Sequence, residues 1–198
     1  MGTASHELTE EKAHSGRFSH KGWIYAANPP GALLQDRNHR AYPTIQLYKQ
    51  PQGAFRTPAY IELWIWAKVE LARGEWLSLA TLDYTRADTW DAVLVNISDD
   101  GFVQLMHVPY NGQGLRTFQT TTRRFPMGEW VKLGICLHFD KDSGYAKVWQ
   151  DDELVSSADV RRGQGELTQA HFGLYAPPSL SQGVIYNDDL RIVEGACP

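Results

Sequence analysis

Apolar and polar residues alternate along most of this sequence, and this pattern restricts the fold more than any other feature. The clearest example is AYIELWIWAKVEL at 59–71, in which Ile61, Leu63 and Ile65 fall on one side of an extended chain. Residues of a strand alternate between the two faces of a sheet, whereas a helix repeats every 3.6 residues. The sequence therefore predicts a protein built almost entirely of β-strands.

About ten such segments follow one another, separated by Gly, Pro, Asp and Asn. The clearest lie at 59–71, 75–84, 90–98, 101–108, 129–140, 144–150, 153–160, 168–175 and 183–194. Asp151 and Asp152 are expected to join two of them as a tight hairpin. So many strands predict an all-β, two-sheet antiparallel sandwich or jelly roll. We expect one domain over 1–198, with a loop-rich segment at 26–58 that holds one short strand, TIQLY.

Charge and hydropathy exclude some classes of partner. The formal charge is −4, and Lys and Arg form no basic stripe, so no nucleic-acid partner is expected. No apolar run approaches the ~20 residues that cross a bilayer, so a soluble protein without a membrane partner is expected. The first residues do not resemble a secretion signal. A secreted or periplasmic protein whose signal has been removed would look the same, so the compartment stays open.

Motifs for nucleotide, zinc and serine-hydrolase chemistry do not occur in the sequence. Cys136 and Cys197 form either a disulfide or two free thiols. The segments DKDSG at 140–144 and NDD at 187–189 are the candidate calcium ligands, but the first is more typical of a hairpin turn. We therefore predict no metal site and no cofactor, with a structural calcium ion as the alternative. Four histidines, His6, His14, His20 and His39, are interpreted as exposed and without a specific role.

The outward faces of several strands carry an unusual mixture of aromatic and polar residues. In a sandwich, each strand turns one face to the core and the other outward. The outward residues at 59–68 are Tyr60, Glu62, Trp64 and Trp66, and those of QAHFGLY at 169–175 are Gln169, His171 and Tyr175. Aromatic rings stack on sugars, and polar side chains bind their hydroxyls. The alternative is that a further layer of protein covers these rings.

In the segment FVQLMHV at 102–108, the alternation leaves the outward face ambiguous. His107 shares a face with Val103 and Leu105, and Gln104 and Met106 share the other. The alternation does not show which face meets the core.

The C-terminal third resembles the concanavalin A-like jelly rolls, which include legume lectins, laminin G-like modules, glucanases and several polysaccharide lyases. The segments that carry this resemblance are YAKVWQDDELVSSADV, HFGLYAPPS and GVIYNDDLRIVEG. The resemblance implies a sandwich whose concave face binds a polysaccharide or an oligosaccharide.

Within this superfamily the chain is most similar to the alginate-lyase type of polysaccharide lyase, which has the motifs R-x-E-L-R, Q-I-H and Y-F-K-x-G-x-Y. QAHFGLY matches the third motif at Gly173 and Tyr175, with Gln169 and His171 in place of its Tyr and Lys. YIELW keeps Glu62 and Leu63 of the first motif but has Tyr60 and Trp64 in place of both Arg residues. LMH keeps His107 of the second, with Leu105 in place of Gln.

Elimination from a uronate requires neutralisation of the carboxylate, a base for the C5 proton and an acid for the leaving oxygen. The resemblance implies His107 as the base and Tyr175 as the base or the acid. His171, Arg116 or Arg56 could replace the missing cation.

The leading prediction is thus a carbohydrate-active, lyase-like protein. Its substrate-binding residues are predicted to be Tyr60, Glu62, Trp64, Trp66, Gln169 and Arg116, and its catalytic residues His107, Tyr175 and His171. The alternatives are a non-catalytic sugar-binding module that uses the rings of Tyr60, Trp64 and Trp66, and an interaction domain whose aromatic face is covered. The sequence leaves the oligomeric state open.

Overall fold

Strands make up nearly all the regular structure of this chain. The computed structural model describes residues 3–28, 38–85, 91–109, 116–118, 123–195 and 197–198, with the backbone alone at 116–118. These ranges contain sixteen strands, one short 3-10 helix at Leu47–Lys49 and no α-helix. They also contain no helix long and apolar enough to cross a membrane. The all-β prediction is confirmed.

The first of two large sheets, sheet 1, has seven antiparallel strands. In spatial order they are β1 (Ala4–Thr9), β2 (Ser19–Ile24), β16 (Gly183–Glu194), β6 (Ala59–Lys68), β11 (Trp130–His138), β12 (Tyr145–Gln150) and β13 (Glu153–Asp159). The hairpin between the last two turns at Asp151 and Asp152, whose φ angles are 47° and 70°. Positive φ at both turn residues matches the twist of antiparallel strands, as predicted for this hairpin.

The second large sheet, sheet 2, is also antiparallel. In spatial order its strands are β10 (Arg116–Phe118), β9 (Val103–Val108), β8 (Ala92–Ser98), β7 (Trp76–Asp83), β15 (Gln169–Ala176) and β3 (His39–Ala41). The short β4 (Thr44–Ile45) also pairs with β15, and β5 (Phe55–Arg56) pairs with β14 (Glu166–Leu167). The predicted strand TIQLY is therefore shorter than expected and continues into the 3-10 helix.

The core lies between the two sheets, and the alternation in the sequence builds it. Strand β6 alternates buried and half-buried residues over most of its length, with Ile61, Leu63 and Ile65 fully buried. From sheet 2, Phe172 and Leu174 belong to the same buried cluster. Because each strand contributes every second side chain to this layer, the other half of its side chains forms an outer face. The two outer faces thus carry the side chains that the core does not use.

A disulfide joins Cys136 of β11 to Cys197. Of the two alternatives that the sequence left open, the structure has the bridge. It ties the C-terminal end of the chain to sheet 1, on the far side of the core from β15.

Candidate functional site

The outer face of sheet 2 carries a cluster of polar and aromatic side chains around β15. Gln169, His171 and Tyr175 project from this strand opposite the buried Ala170, Phe172 and Leu174. In the neighbouring β3, Arg40 is exposed and lies directly opposite Tyr175 in the register. Directly opposed residues of an antiparallel pair have Cβ atoms about 5 Å apart. A cationic side chain and a phenol therefore project from adjacent positions of one face.

His171 is held against an aromatic ring and is nearly buried. Its imidazole stacks on Tyr42, with ring centroids 4.4 Å apart and planes inclined by 16°. Its Nε2 lies 3.4 Å from the amide nitrogen of Gln169. Burial, and next the charge of Arg40, lower the pKa of His171 to about 4. The imidazole is therefore neutral at neutral pH, so it can exchange hydrogen bonds but supplies no positive charge.

The hydroxyl of Tyr175 is positioned by a second polar side chain. Asn38 donates a hydrogen bond from Nδ2 to this hydroxyl over 2.7 Å. The ring of Trp76 lies 5.1 Å from the Tyr175 ring, and Tyr42 meets it edge-on at 6.1 Å. Because the amide occupies one lone pair of the phenol oxygen, the O–H remains available to a ligand.

Gly173, between His171 and Tyr175, allows this packing. Its φ of 143° is one that other residues rarely adopt, and a Cβ there would lie 2.8 Å from both the Ala41 oxygen and the Tyr42 Cβ. A side chain at this position would push Tyr42 away from His171. The Gly-x-Tyr pattern noted in the sequence thus has a structural cause at this site.

Further polar side chains lie on the same face, in the strands next to β15. Tyr175 pairs with Ser78, and Ser78 with Asn96, so these residues form one row across three strands. The Asn96 amide is fully buried, and among the described residues neither of its polar atoms has a hydrogen-bond partner. Burial raises the pKa of Asp83, which is opposite Gln169, to about 6. An unsatisfied buried amide is costly, and a buried water molecule is the usual way in which such a group is satisfied.

The predicted aromatic residues of β6 lie elsewhere. Tyr60, Glu62, Trp64 and Trp66 project from the outer face of sheet 1, on the opposite side of the core from His171 and Tyr175. The structure therefore does not bring Glu62, predicted to bind substrate, together with the residues of β15. The alternation of β6 was interpreted correctly, but a pattern of period two does not tell to which sheet a strand belongs.

A segment of the same chain covers part of this aromatic face. His14 stacks on Trp64 with ring centroids 3.8 Å apart, and Lys12 lies over Trp66 at 4.5 Å. The segment is held by His14, whose Nδ1 lies 2.7 Å from a carboxylate oxygen of Asp189. The backbone N–H of His14 donates to Asp188 over 2.7 Å. The carboxylates considered above as calcium ligands therefore bind this segment.

His107 is also misplaced in the sequence-based prediction of the site. Its strand neighbours Val103 and Leu105 belong to the core, so His107 projects inward. Its Nε2 lies 3.0 Å from the Tyr84 hydroxyl and 3.3 Å from an Asp91 oxygen, and all three residues are buried. These contacts make His107 part of a buried polar cluster, away from the face that carries Tyr175. The ambiguity of FVQLMHV is thereby resolved against a catalytic role beside Tyr175.

Arg116 is the last of the predicted residues. Arg116 belongs to β10, and its backbone pairs with His107 of β9. Its side chain lies outside the described part of the structure.

The sequence-based prediction missed Asn38, Arg40 and Tyr42. They belong to the loop-rich segment 26–58. Strand β3 is only three residues long, which is too short for alternation to distinguish a strand from a loop. The available signal was HRAY at 39–42, in which Arg40 and Tyr42 alternate with His39 and Ala41. His39, interpreted as exposed, is in fact buried, with Nε2 2.8 Å from the Leu180 oxygen.

Several known structures similar to this one are polysaccharide lyases. The endo-β-1,4-glucuronan lyase of the fungus Trichoderma reesei superimposes with a TM-score of 0.72 and 13% identity, over 98% of this chain and 88% of the lyase. The cellulose-induced protein Cip1 gives 0.65 and 14%, over 100% and 89%. A family 7 alginate lyase in complex with substrate gives 0.61 and 12%, over 88% and 77%.

No protein-family model matches the sequence, and no curated protein matches it either. The likeness is therefore one of three-dimensional structure at low sequence identity. It confirms the predicted fold: the chain is a jelly-roll sandwich of the kind found in glucuronan and alginate lyases.

Proposed function

We propose that this protein is a polysaccharide lyase that binds a uronate-containing chain on the outer face of sheet 2 and cleaves it by β-elimination. The observation that carries the proposal is the position of Tyr175, whose hydroxyl is held by Asn38 while its strand neighbour is Arg40. A phenol for proton transfer and a cation for a carboxylate are two of the groups that this reaction requires.

The reaction removes the proton at C5 and breaks the bond between C4 and the glycosidic oxygen. The electron pair of the C5–H bond becomes the C4–C5 double bond, and the departing oxygen gains a proton. The C5 proton becomes acidic only when the adjacent carboxylate is neutralised, because negative charge accumulates there in the transition state. The required groups are thus a cation or amide donors, a base and an acid.

Each role has a candidate on this face. Arg40 is the group proposed to neutralise the carboxylate, since a guanidinium binds it through two parallel hydrogen bonds. Gln169 is proposed to donate from its amide to the same substrate. Tyr175 is proposed to donate its hydroxyl proton to the leaving oxygen. His171, neutral at neutral pH, is proposed as the base that accepts the C5 proton, and His107 has no place in this scheme.

The substrate class is argued from the same residues and from the structural neighbours. Arg40 favours an acidic sugar over a neutral one, and the rings of Tyr42 and Trp76 offer apolar surface beside Tyr175. Two of the structural neighbours are lyases of glucuronan and alginate, which are uronate polymers. We therefore propose a polymer of uronic acids as the substrate.

The test is the ultraviolet absorbance of newly formed unsaturated uronate, followed over time with glucuronan, alginate, pectate and glycosaminoglycans. We expect a rise with at least one polymer, and a loss of about 10²- to 10⁴-fold in rate for Tyr175→Phe. Tyr145→Phe makes the same change on sheet 1, where the Tyr145 ring lies 5.3 Å from His138. This control should retain the full rate.

A non-catalytic sugar-binding module is the second candidate, and the rings around Tyr175 favour it on the same face. Binding of a uronate polymer with no rise in absorbance would contradict elimination and support this module. A rise that survives unchanged in Tyr175→Phe would reject the proposed role of Tyr175.

A further inference from the structure

Two histidines bring ring nitrogens together at the edge of sheet 1, away from the proposed active site. His6 of β1 and His20 of β2 are diagonal neighbours, since His6 pairs with Gly22 and His20 with Leu8. Nδ1 of His6 lies 3.2 Å from Nε2 of His20. The His6 side chain is exposed, so solvent reaches the pair.

The separation of the two nitrogens suits two ligands of one metal ion. Imidazole nitrogens bind such ions at about 2.0–2.1 Å, so two ligands at adjacent coordination positions stand roughly 2.9–3.4 Å apart. The distance between the His6 and His20 nitrogens falls within this interval. A single proton shared as a hydrogen bond is the competing explanation of the same geometry.

The remaining nitrogen of His20 has a partner that supports the metal explanation. Its Nδ1 lies 3.3 Å from the side-chain amide of Asn187, which is opposite His20 in β16. Asn187 is 8% exposed, and among the described residues its buried Oδ1 has no hydrogen-bond partner. A half-turn of the amide exchanges oxygen and nitrogen and gives His20 Nδ1–H an acceptor. That bond would leave the lone pair on Nε2, as in histidines that bind metals.

We propose that His6 and His20 bind a divalent transition-metal ion that prefers imidazole ligands, with Asn187 as a positioning residue. Cu²⁺ is the probe of choice because imidazole sites bind it most strongly among the first-row divalent ions. The described residues hold no group of three or more His, Cys, Asp or Glu side chains around a common point, so solvent would complete the coordination. The ion would join the edge strand β1 to β2. This inference does not depend on the proposed lyase activity.

The experiment is a titration of the full chain, freed of metal with a chelator, with Cu²⁺ at neutral pH. Calorimetry gives the stoichiometry, and electron paramagnetic resonance counts the coordinated nitrogens. We expect one ion bound through two imidazoles. Asn187→Leu should weaken binding about 10- to 100-fold, the usual effect of losing a group that orients a metal ligand.

Matched histidine variants separate this site from the other histidines. His6→Gln and His20→Gln should each remove the bound ion, whereas His14→Gln and His138→Gln should retain it. Circular dichroism checks that each variant is folded. Failure of the folded wild-type protein to bind Cu²⁺ would overturn the proposal, as would an unchanged ion in folded His6→Gln. Either result would leave a hydrogen bond as the explanation of the pair.

Discussion

Each outer face carries a histidine stacked on an aromatic ring, but the two histidines belong to different parts of the fold. On sheet 1, His14 stacks on Trp64 at 3.8 Å, and on sheet 2, His171 stacks on Tyr42 at 4.4 Å. His14 belongs to a segment that covers its own sheet, and its imidazole forms a hydrogen bond with Asp189. His171 belongs to the sheet itself and lies beside groups that project outward.

The difference lies in the polar residues around each ring. On sheet 1, Lys132 forms an ion pair with Asp152 at 2.7 Å and Lys21 with Glu11 at 2.6 Å. On sheet 2, the exposed Arg40 lies opposite Tyr175, whose hydroxyl accepts a hydrogen bond from Asn38. Aromatic content alone would select sheet 1, which carries Trp64 and its neighbours. The cation and the phenol on one face are the reason why we propose a binding site on sheet 2.

The largest expected effect concerns the cation of each face. Arg40→Gln should lower the rate of elimination about 10²- to 10³-fold, the usual effect of removing one donor that stabilises transition-state charge. Lys132→Gln removes a cation from the outer face of sheet 1 and should leave the rate unchanged. The measurement is the initial rate of absorbance increase with the best uronate polymer.

Equal losses in the two cation variants would break the comparison, because they would show that overall charge attracts the polymer. An unaffected Arg40→Gln would require another residue to neutralise the carboxylate.

The sequence predicted the architecture well because strand alternation is a local property. The side chains that β6 buries, such as Ile61 and Leu63, are those that the pattern selected. Which sheet a strand joins depends on pairing between distant segments, and the pattern carries no information about that pairing. The pattern therefore showed correctly that Tyr60 and Trp64 face outward. It could not show that their strand belongs to sheet 1, whereas the candidate site lies on sheet 2.

The site itself could be predicted only where one strand carries several of its residues. QAHFGLY gave His171 and Tyr175 because both project from β15. Arg40 was missed because β3 is short and lies within a loop-rich segment, and its position opposite Tyr175 arises only from the fold. His107 was misassigned because its strand has apolar residues on both faces, so alternation could not show which face meets the core.

The next effect concerns stability in acid and compares the stacked histidine of sheet 2 with a tyrosine of sheet 1. The folded-state pKa of His171 is about 4, against 6.5 for an ordinary histidine. Between these pH values the unfolded chain binds a proton that the folded chain does not, so stability falls as the pH drops from about 6.5 towards 4. His171 should contribute about 3 kcal/mol to this loss.

Urea unfolding at pH 7 and pH 4.5 measures the difference for each variant. His171→Gln should flatten the dependence on pH, whereas Tyr145→Phe, which changes a ring on the outer face of sheet 1 and removes no histidine, should keep it. His20 is present in both variants and contributes equally to each. A His171→Gln protein with the wild-type dependence would show that its imidazole is not buried as described.

The smallest expected effect compares one indole from each face. Trp76 lies 5.1 Å from Tyr175, so Trp76→Ala should weaken polymer binding by about tenfold, as expected for the loss of roughly 1.4 kcal/mol of ring contact. Trp64→Ala removes the ring under His14 and should reduce the free energy of unfolding without changing binding. Calorimetry with a uronate oligosaccharide measures the first effect, and urea unfolding measures the second. Weaker binding in Trp64→Ala alone would move the sugar-binding surface to sheet 1, and the covering segment at His14 would then have to leave the ring before the sugar binds.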